Sequence, residues 1–226
     1  MTEALKGIAP IQRESVESRV AQALRELIVT GQLPEGTPLV QRDLAHRLGV
    51  SQTPVRLGLT ELQRAGLVHV GGTGRAVVSR LTREDLEEIY AARLGLEGLA
   101  ARVGATAVGP GELARMRALL TQLEQLAKEQ DVDGYLRTRW EFHAVCYEAS
   151  GRRRLLAEVE RLFWRAERYN RLVLSSRERF RRSVAHYRAF YDACKAGNGR
   201  RAEQVIHEST QWAVDIVWET LPSEQV

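Results

Sequence analysis

The chain is poor in the residues that would mark a secreted, membrane-bound or disulfide-built protein. It has two cysteines, Cys146 and Cys194, too few for a disulfide framework and consistent with a reducing cytosol. No apolar run approaches the roughly 20 residues that cross a bilayer, so no membrane partner is expected. The first ten residues lack the basic patch followed by an apolar stretch of a secretory signal, and a cytoplasmic location is expected. Histidine is scarce, at five residues, so each can be weighed singly. What is present is a soluble mixture, 44% hydrophobic and 27% charged, long enough at 226 residues for two domains. A pI near 9.3 with a net charge of only +4 is weak support for an anionic partner.

Read along the chain, residues 1–12 form an arm without periodicity. Glu14 to Thr30 places Val16, Val20, Ala23, Leu24, Leu27 and Ile28 on one helical face, and Gly31 ends that helix. Leu33-Pro34-Glu35-Gly36 reads as a turn. Two short helices follow near 41–48 and 52–65, joined by Gly49-Val50-Ser51, with Pro54 in the first turn of the second. Val68–Val70 and Ala76–Ser79 read as strands flanking the tip Gly71-Gly72-Thr73-Gly74-Arg75. The pattern changes near residue 80. Thr82 caps a helix with Glu84 and Asp85 in its first turn, and helical periodicity continues to Leu221. Helices are expected near 83–107, 111–129, 132–149, 152–173, 176–196 and 199–220. Their short loops favour antiparallel neighbours. The expected fold is therefore mainly α. A helix-turn-helix with a small β-hairpin wing spans 13–80, and an antiparallel all-α bundle spans 81–222.

Helix, turn, helix and hairpin in that order form a shape that presents one helix to the major groove of DNA. Ser51, Gln52, Thr53 and Arg56 occupy the leading end of that helix. Ser51 can cap the helix or meet a phosphate; Gln52 suits adenine, and Arg56 suits guanine or a phosphate. Arg42 on the preceding helix is placed to clamp the backbone. Gly72 and Gly74 let the wing approach the minor groove, with Thr73 and Arg75 as donors. The plainer alternative is a small helical domain with a solvated charged face.

Leu33-Pro34-Glu35-Gly36, Leu39, Leu44-Ala45, Leu48-Gly49-Val50-Ser51, Thr53-Pro54-Val55-Arg56 and Gly66-Leu67-Val68 together resemble the winged helix of GntR-type bacterial transcription regulators. The resemblance implies that Arg42, Gln52, Thr53, Arg56 and the wing glycines meet an operator. It also shows two departures. Gln52 stands where the family usually has arginine, and Leu57-Gly58 stands where it usually has Glu-Ala. A glycine inside a helix costs about 1 kcal/mol.

In the second half, His143, His186 and His207 fall in three different expected helices, whereas His46 and His69 belong to the first half and read as surface residues. Imidazoles from facing helices can build a metal site, although a lone histidine is more often a satisfied core or surface residue. The run Leu81-Thr82-Arg83-Glu84-Asp85-Leu86 with Tyr90, Arg93, Leu96 and Glu97 resembles the opening helix of the FCD ligand-binding domain, the effector half of FadR-type GntR regulators. Glu141-Phe142-His143, Ala149-Ser150-Gly151, His186 and His207 fall at further landmarks of that domain. The resemblance implies a divalent metal, zinc or nickel, on an aspartate and three histidines, the latter at His143, His186 and His207. Arg139 occupies the aspartate's position, four residues before His143. An arginine stays charged and cannot ligate. Either the three histidines keep a metal with open positions, which is the preferred reading, or the Arg139 cation replaces it and an anion binds directly. Arg93 can fork onto an effector carboxylate or pair with Glu97, one turn along. Cys146, three residues after His143, reads as a buried inert thiol.

These features point to a homodimeric, ligand-responsive transcription regulator rather than an enzyme. It would be a repressor on a near-palindromic double-stranded operator, responding to a small organic acid in the bundle. Two other classes compete. A three-histidine metal hydrolase needs a general base, and Glu141 faces away from His143. An architectural DNA-binding protein would not need so large a bundle.

Overall fold

The computed structural model describes residues 15–72 and 74–221. The chain divides into two compact units between Ser79 and Arg80.

The first unit holds α1 (Val16–Val29), α2 (Gln41–Leu48), α3 (Gln52–Arg64), β1 (Val68–Val70) and β2 (Ala76–Val78). Ser15 caps α1 by accepting from the backbone N–H of Ser18 at 3.2 Å. Between α2 and α3 the chain reverses at Gly49, whose φ of 66° lies in the left-handed region that glycine adopts without a Cβ clash. Val20, Ala21, Leu24 and Ile28 of α1 pack against Val55, Leu59 and Leu62 of α3 and close over Leu67, Val68 and Val78. Gly58 lies where α3 meets α1: a Cβ there would stand 3.1 Å from the backbone nitrogen of Ala21. The glycine that weakens the helix intrinsically thus permits a close crossing. β1 and β2 pair antiparallel, with Val68 opposite Val78 and Val70 opposite Ala76. The backbone around Pro38 adds an edge, with Leu39 N–H donating to the Ala76 carbonyl at 2.8 Å. Val16, expected on the apolar face of its helix, is instead 48% exposed. It joins Val50, Pro54 and Leu57 in a shallow apolar hollow.

The second unit is a bundle of α4 (Arg83–Ala105), α5 (Pro110–Glu129), α6 (Val132–Ala149), α7 (Arg153–Arg165), α8 (Glu167–Val173), α9 (Arg177–Lys195) and α10 (Gly199–Thr220). Thr82 caps α4 through Asp85 N–H at 3.1 Å, and Asp131 caps α6 through Gly134 N–H at 3.0 Å. α4 packs against α10, α6 and α7, while α5 lies against α6 and α9. Two glycines set the closest approaches. A Cβ on Gly104 would fall 2.0 Å from the Cys146 carbonyl oxygen, and one on Gly199 would fall 2.2 Å from that of Arg102. Cys146 and Cys194 are free and buried, with sulfurs 3.7 Å apart. That hydrogen bond, together with burial, pushes the Cys146 thiol's pKa well up, which keeps it protonated and inert.

One expected helix is two. The span 152–173 breaks at Ala166, where no glycine or proline signals it. Ala166 is fully buried against Leu86, Ile89, Tyr90 and Tyr169, so packing sets the break. The turn re-aims α8. Tyr169 hydroxyl donates to Asp85 at 3.1 Å, and Asn170 accepts from Tyr90 hydroxyl at 3.1 Å.

Candidate nucleic-acid interface and ligand cavity

The leading end of α3 separates a buried face from an open one. Val55, Gly58, Leu59 and Leu62 are buried, whereas Ser51, Gln52, Thr53, Arg56, Leu57 and Thr60 are exposed. The Ser51 side chain makes no capping bond, which leaves its hydroxyl available to another partner. Arg42 on α2 has an 81% exposed side chain, in contact with its neighbour Asp43 at 3.3 Å. In the wing, Gly71 N–H donates to the Arg75 carbonyl at 3.1 Å, and Gly74 turns the tip with φ of 72°. Gly72, Gly74 and Arg75 are exposed, and added Cβ atoms on Gly72 and Gly74 would meet nothing. Thr73 lies outside the described residues. Leu57 adds an apolar group to the open face. Such a group can contact a thymine methyl.

The bundle holds a partly open cavity of about 50 Å³. Five helices line it: Arg93 and Glu97 from α4, Arg139 and His143 from α6, Asn170 from α8, His186 and Tyr187 from α9, and Thr210 and Trp212 from α10. Arg93 and Glu97 do pair, with Nε and Oε1 2.6 Å apart, but inside the wall at 4% and 2% exposure rather than on the surface. Tyr147 hydroxyl donates to the second Glu97 oxygen at 3.3 Å, and Arg93 lies over the rings of Tyr90 and Phe163. This pair is therefore neutral as a unit.

Arg139 differs. Its Nε donates to Tyr187 hydroxyl at 3.1 Å, and its guanidinium lies 4.5 Å over Phe163. Among the described residues no carboxylate stands within ion-pair distance of it. The nearby buried Glu167 feels its field, yet burial wins over the surrounding arginines and raises that carboxyl to about 7. His143 is 7% exposed and stacked on Tyr147. Burial first, then the cations of Arg139 and Arg93, push its pKa well below the usual histidine value and keep the ring neutral. Burial and Arg182 lower His186 as well. His143 Nδ1, His186 Nδ1 and Asn170 Nδ2 are all buried without a hydrogen-bond partner. An unsatisfied buried polar atom costs about 1–3 kcal/mol, so three around one cavity mark a place prepared for something polar.

The three-histidine metal set is not assembled. Among the described residues no group of three histidine, cysteine, aspartate or glutamate side chains is placed to hold a metal ion. His143 and His186 line the cavity; His207 does not. His207 is exposed on α10, its Nε2 3.1 Å from the Leu94 carbonyl oxygen. It occupies the space over Gly98, where a Cβ would come within 2.6 Å of that nitrogen. Two histidines beside an uncompensated guanidinium are a poor donor set for a divalent cation. Asn170, Tyr187 and Glu167 carry no motif or spacing in the sequence that marks them for this site. Asn170 reaches the cavity, and Glu167 its neighbourhood, through the break at Ala166, while Tyr187 lines it from α9. Glu141, the one acid weighed as a hydrolytic base, is exposed while His143 is buried.

A winged helix with an open recognition end and a separate helical unit holding a polar cavity define a DNA-binding regulator. The comparisons name the family. Residues 16–86 match the model of bacterial regulatory proteins of the gntR family, and residues 88–211 match the FCD domain. The chain belongs to the GntR family of transcription regulators and carries an FCD domain. It is 24% identical to the HTH-type transcriptional regulator McbR of Escherichia coli, across 95% of this chain and 98% of that protein. It is 38% identical over 99 residues to a probable D-xylose utilization operon transcriptional repressor of Paenarthrobacter nicotinovorans, covering 42% of each chain. In fold it matches E. coli McbR/YncC with a TM-score of 0.81 at 24% identity, across 92% of this chain and 99% of that one. A putative GntR regulator from Rhodococcus sp. RHA1 gives 0.77 at 24% identity, across 92% and 100%. The relatives are transcription regulators, not enzymes. No helix among the described residues is long and apolar enough to cross a membrane.

Proposed function

We propose that the chain is a repressor that binds a near-palindromic operator as a homodimer and is controlled by a small organic acid in the bundle. The observation that carries the DNA half is the open end of α3, where Ser51, Gln52, Thr53 and Arg56 are exposed above a buried apolar face. In this reading Gln52 and Arg56 meet base edges, Arg42 and Ser51 hold phosphates, and Gly72, Thr73, Gly74 and Arg75 reach the minor groove. Glutamine at position 52 favours adenine at the matching base, where the family's usual arginine favours guanine. Repression is supported by relatives named as repressors, including the gluconate operon repressor of Bacillus subtilis, 38% identical over 87 residues.

A dimer must match two half-sites about one or more helical turns apart, so a modest change in the spacing of its two reading heads removes much of its specific affinity. The acid acts by binding one of those arrangements better than the other. Arg139 and Arg93 are the proposed effector-binding residues. The test is selection of bound duplexes from a random pool by the full chain, followed by affinity measurement on the winners. Enrichment of a two-fold symmetric sequence, lost with Arg56→Ala, is expected; no enrichment would defeat the reading.

A further inference from the structure

The cavity holds more than a generic pocket for an acid, and the failed metal set says what kind. Of its two arginines, Arg93 is neutralised by Glu97 at 2.6 Å. Among the described residues no carboxylate lies within ion-pair distance of Arg139; the buried Glu167 acts on it only through its field, and its direct contacts are a phenol oxygen and an aromatic face. Around it, His143 Nδ1, His186 Nδ1 and Asn170 Nδ2 are buried and unpartnered. Asn170 is oriented by Tyr90, which donates to its carbonyl, so that its amide nitrogen is the free end. His207, needed to complete three nitrogens, is engaged outside the cavity with the Leu94 carbonyl.

We propose that this site binds a small carboxylate directly, without a metal, with Arg139 supplying the positive charge and His143, His186 and Asn170 supplying hydrogen bonds. The inference rests on the reading of the bundle as an effector site. A guanidinium offers a planar fork that matches a carboxylate in two parallel bonds. Each imidazole, in the tautomer with its proton on Nδ1, donates one more, as does the asparagine amide. The volume favours a small ligand. About 50 Å³ holds roughly four waters at 10–15 Å³ each, which suits a small acid. Two- and three-carbon hydroxy or keto acids fall in that class, and their second oxygen suits the histidine and asparagine donors.

The experiment is calorimetric titration of the full chain with glycolate, lactate and pyruvate, with the uncharged amide glycolamide as control. It is run once after chelator treatment and once with equimolar zinc. At least one acid should bind, glycolamide should not, and chelation should change the affinity by less than twofold. Arg139→Gln should weaken binding at least tenfold, and Arg139→Lys, which keeps the charge but not the fork, by less; circular dichroism checks that both are folded. Equilibrium dialysis should find no stoichiometric zinc or nickel. One tightly held equivalent of metal, lost in His143→Gln, or acid binding that appears only with zinc, would overturn the metal-free site while leaving the effector reading in place. Failure of every acid under both conditions would overturn both.

Discussion

The two units solve recognition in opposite ways. In the winged helix the groups proposed to meet DNA that the structure describes stand in solvent between Arg42 and Arg75, and the fold does little more than orient them. In the bundle they are buried, come from five helices, and have altered chemistry because they are buried: neutral histidines, a nearby carboxyl that titrates near neutrality, and one arginine with no carboxylate at ion-pair distance among the described residues. A surface site can be edited residue by residue at little cost to stability. A buried one is part of the core, so binding and stability are tied together there.

The strongest way to break that contrast is a pair of glycine substitutions. Gly104→Ala forces a methyl to within 2.0 Å of a backbone carbonyl, which no side-chain rearrangement relieves. It should cost about 3 kcal/mol or more, read as a loss of denaturation midpoint. Gly72→Ala at the wing tip meets nothing, and the thermal midpoint should hold.

Next comes Glu167. Its folded-state pKa is raised from the ordinary 4.5 to about 7, so between those values the folded protein binds more protons than the unfolded chain. Its contribution is therefore favourable at low pH and is lost as pH rises through that window. His143 runs the other way: its lowered pKa makes the folded state bind fewer protons, and stability falls as pH drops below about 6.5. Glu167→Gln should match wild type near pH 4.5 and exceed it at pH 8 by up to about 3 kcal/mol, taken from the size of the shift. Denaturant titrations at the two pH values read this directly. Equal effects at both would show that Glu167 is ionised throughout.

A smaller effect is expected at the open site. Arg56→Ala should weaken operator binding by about 1–3 kcal/mol, measured by fluorescence anisotropy, with stability unchanged. The smallest compares two helix caps. Asp131 accepts a hydrogen bond from Gly134 N–H, so Asp131→Ala should cost about 1 kcal/mol of stability. Ser51 makes no such bond, and Ser51→Ala should change stability by only a few tenths of that while still weakening DNA binding. A full capping loss at Ser51 would return its hydroxyl to a structural role.

The same contrast explains what could be read from the chain. The turn at Gly49, the proline in the first turn of α3, the cap at Thr82 and the glycine-tipped hairpin are local signals, and the structure places the elements where those signals fall. The cavity depends on relations between distant segments. Sequence spacing put three histidines on three helices, but only the packing of α10 on α4 determines that His207 settles over Gly98 instead of facing inward. The break at Ala166 carries no glycine or proline, so the inward turn of Glu167 and Asn170 was invisible. The Arg93–Glu97 pair was visible as an i, i+4 spacing, but its burial was not.

The central claim is that the open end of α3 reads duplex DNA as one of two symmetric heads. Hydroxyl-radical footprinting of the full chain on its selected duplex tests it most directly. Two protected half-sites related by a two-fold axis are expected, with centres about 10 bp or a multiple apart, both lost with Arg56→Ala at protein concentrations near the wild-type Kd. A single unsymmetrical footprint, or one that Arg56→Ala leaves intact, would contradict it.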